Sequence, residues 1–147
     1  MAEVFADLKL MNKAGQLVDS REALSNKIVG IYFSAEWCPP CRGFTPVLSD
    51  FYTELVKESD SPAPFEIVFV SSDRSEKDMM EYFQKKHGDW LVLPFNPERK
   101  RIISQRYNIS GIPTLVIVKG NGDVITRDGR ADVQTKGPAC FKSWQSA

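Results

Sequence analysis

Ile28-Val29-Gly30-Ile31-Tyr32-Phe33 leads through Ser34-Ala35-Glu36 into Trp37-Cys38-Pro39-Pro40-Cys41, and this stretch decides the fold. Its first six residues are apolar, β-branched or aromatic without a break (Gly30 aside), the pattern of a strand covered on both faces. From Pro39 to about Glu58, Phe44, Val47, Leu48, Phe51, Tyr52, Leu55 and Val56 recur at intervals of three and four. That spacing is one face of a helix. Pro46 lies inside it, where a ring without an N–H is expected to produce a kink. After the connector Ser59-Asp60-Ser61-Pro62-Ala63-Pro64, Phe65-Glu66-Ile67-Val68-Phe69-Val70 repeats the buried-strand pattern and completes a right-handed βαβ unit.

Outward from this unit the elements are shorter. Asp7 to Met11 and Gln16 to Val18 flank the turn residues Asn12-Lys13-Ala14-Gly15 as a β-hairpin, and Ser20 is a candidate N-cap for a short helical turn through Leu24. On the other side, Asp73 or Ser75 can cap a helix carrying Met79, Met80 and Phe83 up to His87-Gly88. Trp90 to Phe95 reads as extended, and Glu98 to Tyr107 as a short basic helix with Ile102 and Ile103 turned inward. Ile112 to Val118 is a strand opened by Pro113; Asn121-Gly122 turns it back into Asp123 to Thr126, and Cys140 to Trp144 closes the chain as a helix. The sum is an α/β fold, a mixed central β-sheet flanked by helices on both faces with an N-terminal β-hairpin. At 147 residues the chain suits a single domain over 1–147.

Nineteen Lys plus Arg balance nineteen Asp plus Glu, so there is no global field to gather nucleic acid or an anionic membrane. The N-terminus lacks the basic start and apolar run of a secretory leader, and no stretch of about 18 apolar residues occurs. A soluble cytoplasmic protein, also able to enter the nucleus, is the expectation. Three cysteines in a chain of this length do not make a disulfide scaffold.

The chemistry concentrates at Cys38 and Cys41. A helix N-terminus directly after a buried strand offers partial positive charge and free N–H groups, and both favour a thiolate at Cys38. Pro39 and Pro40 suit the first helical turn but cannot donate, so the first inner N–H open to the Cys38 sulfur belongs to Cys41. Cys38 is then the nucleophile that attacks a substrate disulfide, and Cys41, one turn in, resolves the mixed disulfide and leaves a Cys38–Cys41 bridge. An external reductant restores the dithiol. No cofactor is called for.

YFSAEWCPPCRGFTP, FEIVFVSSDRSE and YNISGIPTLVIV, in this order between Tyr32 and Val118, resemble the tryparedoxin and nucleoredoxin family of the thioredoxin superfamily; VITRDGR and ACFKSW extend the likeness toward the nucleoredoxin-like branch. The resemblance implies a thioredoxin fold in which Pro113 is cis and its loop faces the cysteines, with the Ile112 backbone free to pair with an extended substrate segment. It also implies that Trp37 shields one side of the motif and that Arg42 belongs to the active-site pattern. Many thioredoxins carry a buried Asp six residues before the nucleophile, and Tyr32 stands there in this chain. A phenol with a pKa of about 10 is a poor base at neutral pH, so the Cys41 proton must leave by another route. The partners implied are oxidised client proteins and a reductant such as thioredoxin reductase, glutathione or another dithiol.

Plainer readings stand beside these. A closed zinc site needs two more ligands, and only Cys140 and His87 remain. Cys140 reads as a small buried hydrophobe, His87 as a surface or capping residue, and Asp73 and Glu76 as helix-start residues. The Glu98-Arg99-Lys100-Arg101 cluster reads as a solvated face. Protein-disulfide reduction is the leading function. The competitor is a redox-dependent client-binding or signalling module on the same scaffold; an oxidase is disfavoured by the absence of a leader.

Overall fold

The computed structural model describes residues 3–147; the first two residues of the expected 1–147 domain, and of the N-terminus read for a leader, lie outside the described residues. Seven strands form one mixed sheet: β1 (Lys9–Met11), β2 (Leu17–Asp19), β3 (Ile28–Ser34), β4 (Phe65–Ser71), β5 (Leu91–Val92), β6 (Thr114–Val118) and β7 (Val124–Thr126), in the spatial order β2-β1-β5-β4-β3-β6-β7. β3, β4 and β5 are parallel, and β6, β7 and the β1–β2 hairpin join antiparallel. The helices are α1 (Ser20–Leu24), α2 (Pro39–Tyr52), α3 (Glu76–Lys86), α4 (Pro97–Arg106), α5 (Gly129–Lys136) and α6 (Cys140–Gln145). The mixed sheet with helices on both faces agrees with the architecture expected from the sequence.

β3 is buried from Val29 to Ser34, and its alternate residues supply two different cores. Tyr32, with Ile67, Phe69, Leu115 and Ile117, packs under residues of α2, α3, α5 and α6. Val29, Ile31 and Phe33, with Val68, Val70, Val116 and Val118, pack against Leu24 of α1 and Ile103 of α4. The period-two alternation of a strand makes this division inevitable once both faces are covered.

Several local expectations are revised. Asp19, not Ser20, caps α1 by accepting from the Arg21 N–H at 2.8 Å, because the Ser20 hydroxyl is buried and donates to the Phe5 carbonyl at 2.6 Å. α2 ends at Tyr52 and passes into a π-helical turn, Thr53–Lys57. Asn96 caps α4, and only Ile103 of the Ile102–Ile103 pair is buried; successive helical residues lie about 100° apart, so Ile102 is left exposed. Val47 is likewise exposed beside the buried α2 residues Phe44, Leu48 and Phe51. α5 has no expectation behind it, since Val133 is its only large buried apolar residue. It approaches β6 through Gly129, where a Cβ would stand 2.8 Å from the Leu115 carbonyl oxygen. Among the described residues no helix is long and apolar enough to cross a membrane.

Candidate active site

The cysteine motif sits where β3 hands over to α2. Cys38 is the N-cap residue, extended at φ −93° and ψ 109°, and its sulfur accepts from the Cys41 N–H at 3.3 Å. Pro39 and Pro40 occupy the first two helical positions, so the donor inferred from the sequence is the one observed. The Cys38 and Cys41 sulfurs are disulfide-bonded with their Cα atoms 5.2 Å apart. Arg42 is exposed, and its N–H donates to the Cys38 carbonyl at 3.1 Å.

Both cysteines are more enclosed than an open nucleophile would be: 4% of Cys38 and 0% of Cys41 is exposed. Ala35 and Ile112 pack on them. The Ile112–Pro113 peptide is cis, and the Ile112 carbonyl oxygen lies 3.8 Å from the Cys38 sulfur. The loop before β6 is thus brought to the cysteines from 74 residues away. Trp37 is 52% exposed; its indole N–H donates to the Ser72 carbonyl at 3.0 Å, and the Arg74 guanidinium lies 5.9 Å from the ring centre. A groove of about 380 Å³ opens beside Trp37, lined by Glu36, Asp73, Arg74 and Tyr82 among others, and neither cysteine lines it.

Asp73 has a role that its position before a helix concealed. Ser75 caps α3 by accepting from the Asp78 N–H at 3.1 Å. Asp73 instead accepts from the Glu36 N–H at 2.8 Å and from the Ser71 hydroxyl at 2.7 Å, so its carboxylate braces the turn that leads into the motif. Burial pushes this carboxyl above its usual range. The partner is 37 residues distant, and no local signal announces it.

Tyr32 points away from any acid-base duty. Its hydroxyl lies 2.6 Å from Thr45 Oγ1, and burial pushes it above the ordinary phenol range. Thr45 Oγ1 is also 2.6 Å from the Tyr82 hydroxyl and donates to the Cys41 carbonyl at 2.9 Å. His87 closes α3 as expected of a helix-end residue but is buried, which corrects the surface reading. Its Nδ1 accepts from the Trp90 indole N–H at 3.1 Å, its ring lies 4.2 Å from that of Phe69, and burial holds the imidazole well below its ordinary pKa. Cys140 is a free, buried cysteine whose thiol burial pushes up to about 11, unsuited to thiolate chemistry at neutral pH. Among the described residues no group of three or more His, Cys, Asp or Glu is arranged to hold a metal ion.

A family model described as thioredoxin-like matches residues 26–124. Nucleoredoxin from Mus musculus is 45% identical over 132 residues, covering 89% of this chain but 29% of that protein. The chain therefore spans less than a third of the length of the nucleoredoxins it matches. Among solved structures, thioredoxin from Wuchereria bancrofti superposes with a TM-score of 0.82 at 43% identity, covering 97% of this chain and 96% of that one. Tryparedoxin I from Crithidia fasciculata gives 0.77 at 39% identity over 88% of this chain and 86% of that one.

Proposed function

The chain belongs to the thioredoxin-like family of oxidoreductases, with nucleoredoxins and tryparedoxins among its relatives, and from this premise we propose that it is a protein-disulfide reductase working through Cys38 and Cys41. The observation that carries the reading is the Cys41 N–H directed at the Cys38 sulfur at the mouth of α2. That contact and the helix dipole favour the Cys38 thiolate. The thiolate attacks one sulfur of a client disulfide; the client's S–S bond breaks, a Cys38–client bond forms, and the other client sulfur leaves as a thiolate. Cys41, deprotonated, then attacks the Cys38 sulfur and expels the second client thiol. Two electrons pass to the client, leaving the bridge seen here, which thioredoxin reductase, glutathione or another dithiol reduces. Ile112 and the cis Pro113 form the wall along which a client segment lies, and Trp37, Pro39, Pro40 and Arg42 make the exposed rim. A cytoplasmic and nuclear setting suits this direction of electron flow.

With 4% of Cys38 exposed, a client must present its disulfide on a mobile segment. The same enclosure favours the second reading, a module that holds clients according to redox state with little turnover. The test is Cys41→Ser, which should accumulate a covalent client complex, whereas Cys38→Ser should accumulate none. Insulin reduction with a competent reductant separates the two readings: no turnover combined with redox-dependent binding overturns the reductase.

A further inference from the structure

Four buried hydroxyls lie behind the motif, and nothing in the exchange chemistry calls for them. They come from β3 (Tyr32, Ser34), α2 (Thr45) and α3 (Tyr82). Their protons follow from elimination. The Cys41 carbonyl only accepts, so the Thr45 hydroxyl, 2.9 Å away, commits its one proton there. Tyr32 and Tyr82, each 2.6 Å from Thr45 Oγ1, must then donate to its two lone pairs. Tyr82, its own proton committed, accepts from Ser34 Oγ at 2.7 Å. The hydroxyls therefore form one cluster that leads from Ser34 through Tyr82 to Thr45 and the Cys41 carbonyl, with Tyr32 meeting Ser34 and Tyr82 as well as Thr45.

We propose that this hydroxyl chain is the positioning device for Cys41: Thr45, held by Tyr32 and Tyr82, sets the first turn of α2 so that the resolving sulfur reaches the Cys38 sulfur. The chain is not a proton relay to the resolving thiol, since it ends on the Cys41 backbone carbonyl, which takes up no proton near neutral pH, and burial raises both phenols above their ordinary range. The turn needs holding because Pro46, the residue after Thr45, has no N–H, and the Arg42 carbonyl lacks its usual partner four residues on. The bond from Thr45 reinforces the neighbouring carbonyl, that of Cys41 itself. An apolar seat would fill the same space without fixing the height or rotation of the turn, because hydrocarbon contacts have no direction.

This inference rests on Cys41 being the resolving cysteine, and the experiment separates the two claims. Cys38 alkylation by iodoacetamide and release of a client thiol from a preformed Cys38 mixed disulfide are measured in wild type, Thr45→Val and Thr45→Ser. Thr45→Val should slow release about tenfold, a change that one ordinary hydrogen bond can cause, and should shift the dithiol–disulfide ratio in a glutathione buffer. Cys38 alkylation should stay within about twofold, and Thr45→Ser should restore most of the release rate. Release at the wild-type rate in Thr45→Val, an equal loss in alkylation, or failure of Thr45→Ser to rescue overturns the proposal. If Thr45→Val does not fold, Tyr82→Phe, which removes one donor to Thr45, should show the same selective slowing, and its absence counts equally against the proposal. If Cys41→Ser traps no client, the resolving role fails and the inference with it; if it traps client while Thr45→Val releases normally, only the inference fails.

Discussion

On the face of the sheet under α2, Tyr32, Phe69, Tyr82, Phe83, His87 and Trp90 pack ring against ring and carry hydroxyl and imidazole groups into the core. On the opposite face Val29, Ile31, Phe33, Val68, Val70, Val116 and Val118 present hydrocarbon. Both are dense, and β3 feeds both from alternate residues. They differ in what their contacts specify. Dispersion and apolar burial reward proximity in any orientation, whereas a buried hydroxyl demands a partner at a set distance and angle and costs about 1–3 kcal/mol if it loses one. The cysteine-bearing helix is seated on the face that specifies position.

The largest test of this contrast truncates each face. Phe69→Ala, which removes a ring packed against those of Tyr32, Tyr82, Phe83 and His87, should cost about 3–5 kcal/mol in urea unfolding, and Leu10→Ala, at a buried β1 residue packed in the opposite core, about 2–5 kcal/mol. Similar losses would show that the faces differ in polarity and not in how much packing they contribute.

A finer cut deletes few atoms. Tyr82→Phe should cost about 1–3 kcal/mol because the Ser34 hydroxyl loses its acceptor, while Ile31→Val should cost about 0.5–1.5 kcal/mol. A Tyr82→Phe protein as stable as wild type would break the comparison.

Acid provides a third probe. Folding keeps His87 neutral, with its imidazole pKa lowered by burial and, secondarily, by the Lys13 ammonium, whereas unfolding returns it to about 6.5. The stability from keeping it neutral is complete above that value. As pH falls from about 6.5 toward the folded value the unfolded chain takes up the proton, so stability declines by up to about 1.4 kcal/mol per unit. Glu66 and Asp73, whose carboxyls burial raises, act in the opposite sense. The urea midpoint at pH 7.5 minus that at pH 5.5 should therefore be larger in wild type than in His87→Gln; equal differences would remove His87 from the account.

The smallest effect belongs to the surface. Lys57 and Asp89 pair at 3.0 Å with side chains 46% and 65% exposed, and Lys57→Ala should cost under about 1 kcal/mol and less in high salt. A larger loss would mean that charge, and not the two cores, carries a share of the stability.

The βαβ unit, both hairpins, the cysteine motif and the Cys41 N–H as sulfur donor were legible in the sequence because each is written in neighbouring residues: a run, a period, a spacing, or two prolines that remove two donors. α5 was not, because a single buried valine makes no period. Asp73 was legible only as a cap, His87 only as a helix end, and Thr45 not at all, since their partners lie on other elements. By itself the sequence determined the order of the elements apart from α5 and placed Cys38 at a helix start, since local backbone chemistry suffices for that. Which carboxylate braces the turn, which hydroxyls seat Cys41 and how far Cys38 is covered were decided only when the sheet brought residues tens of positions apart within hydrogen-bond reach, because such bonds depend on distances that no local pattern encodes.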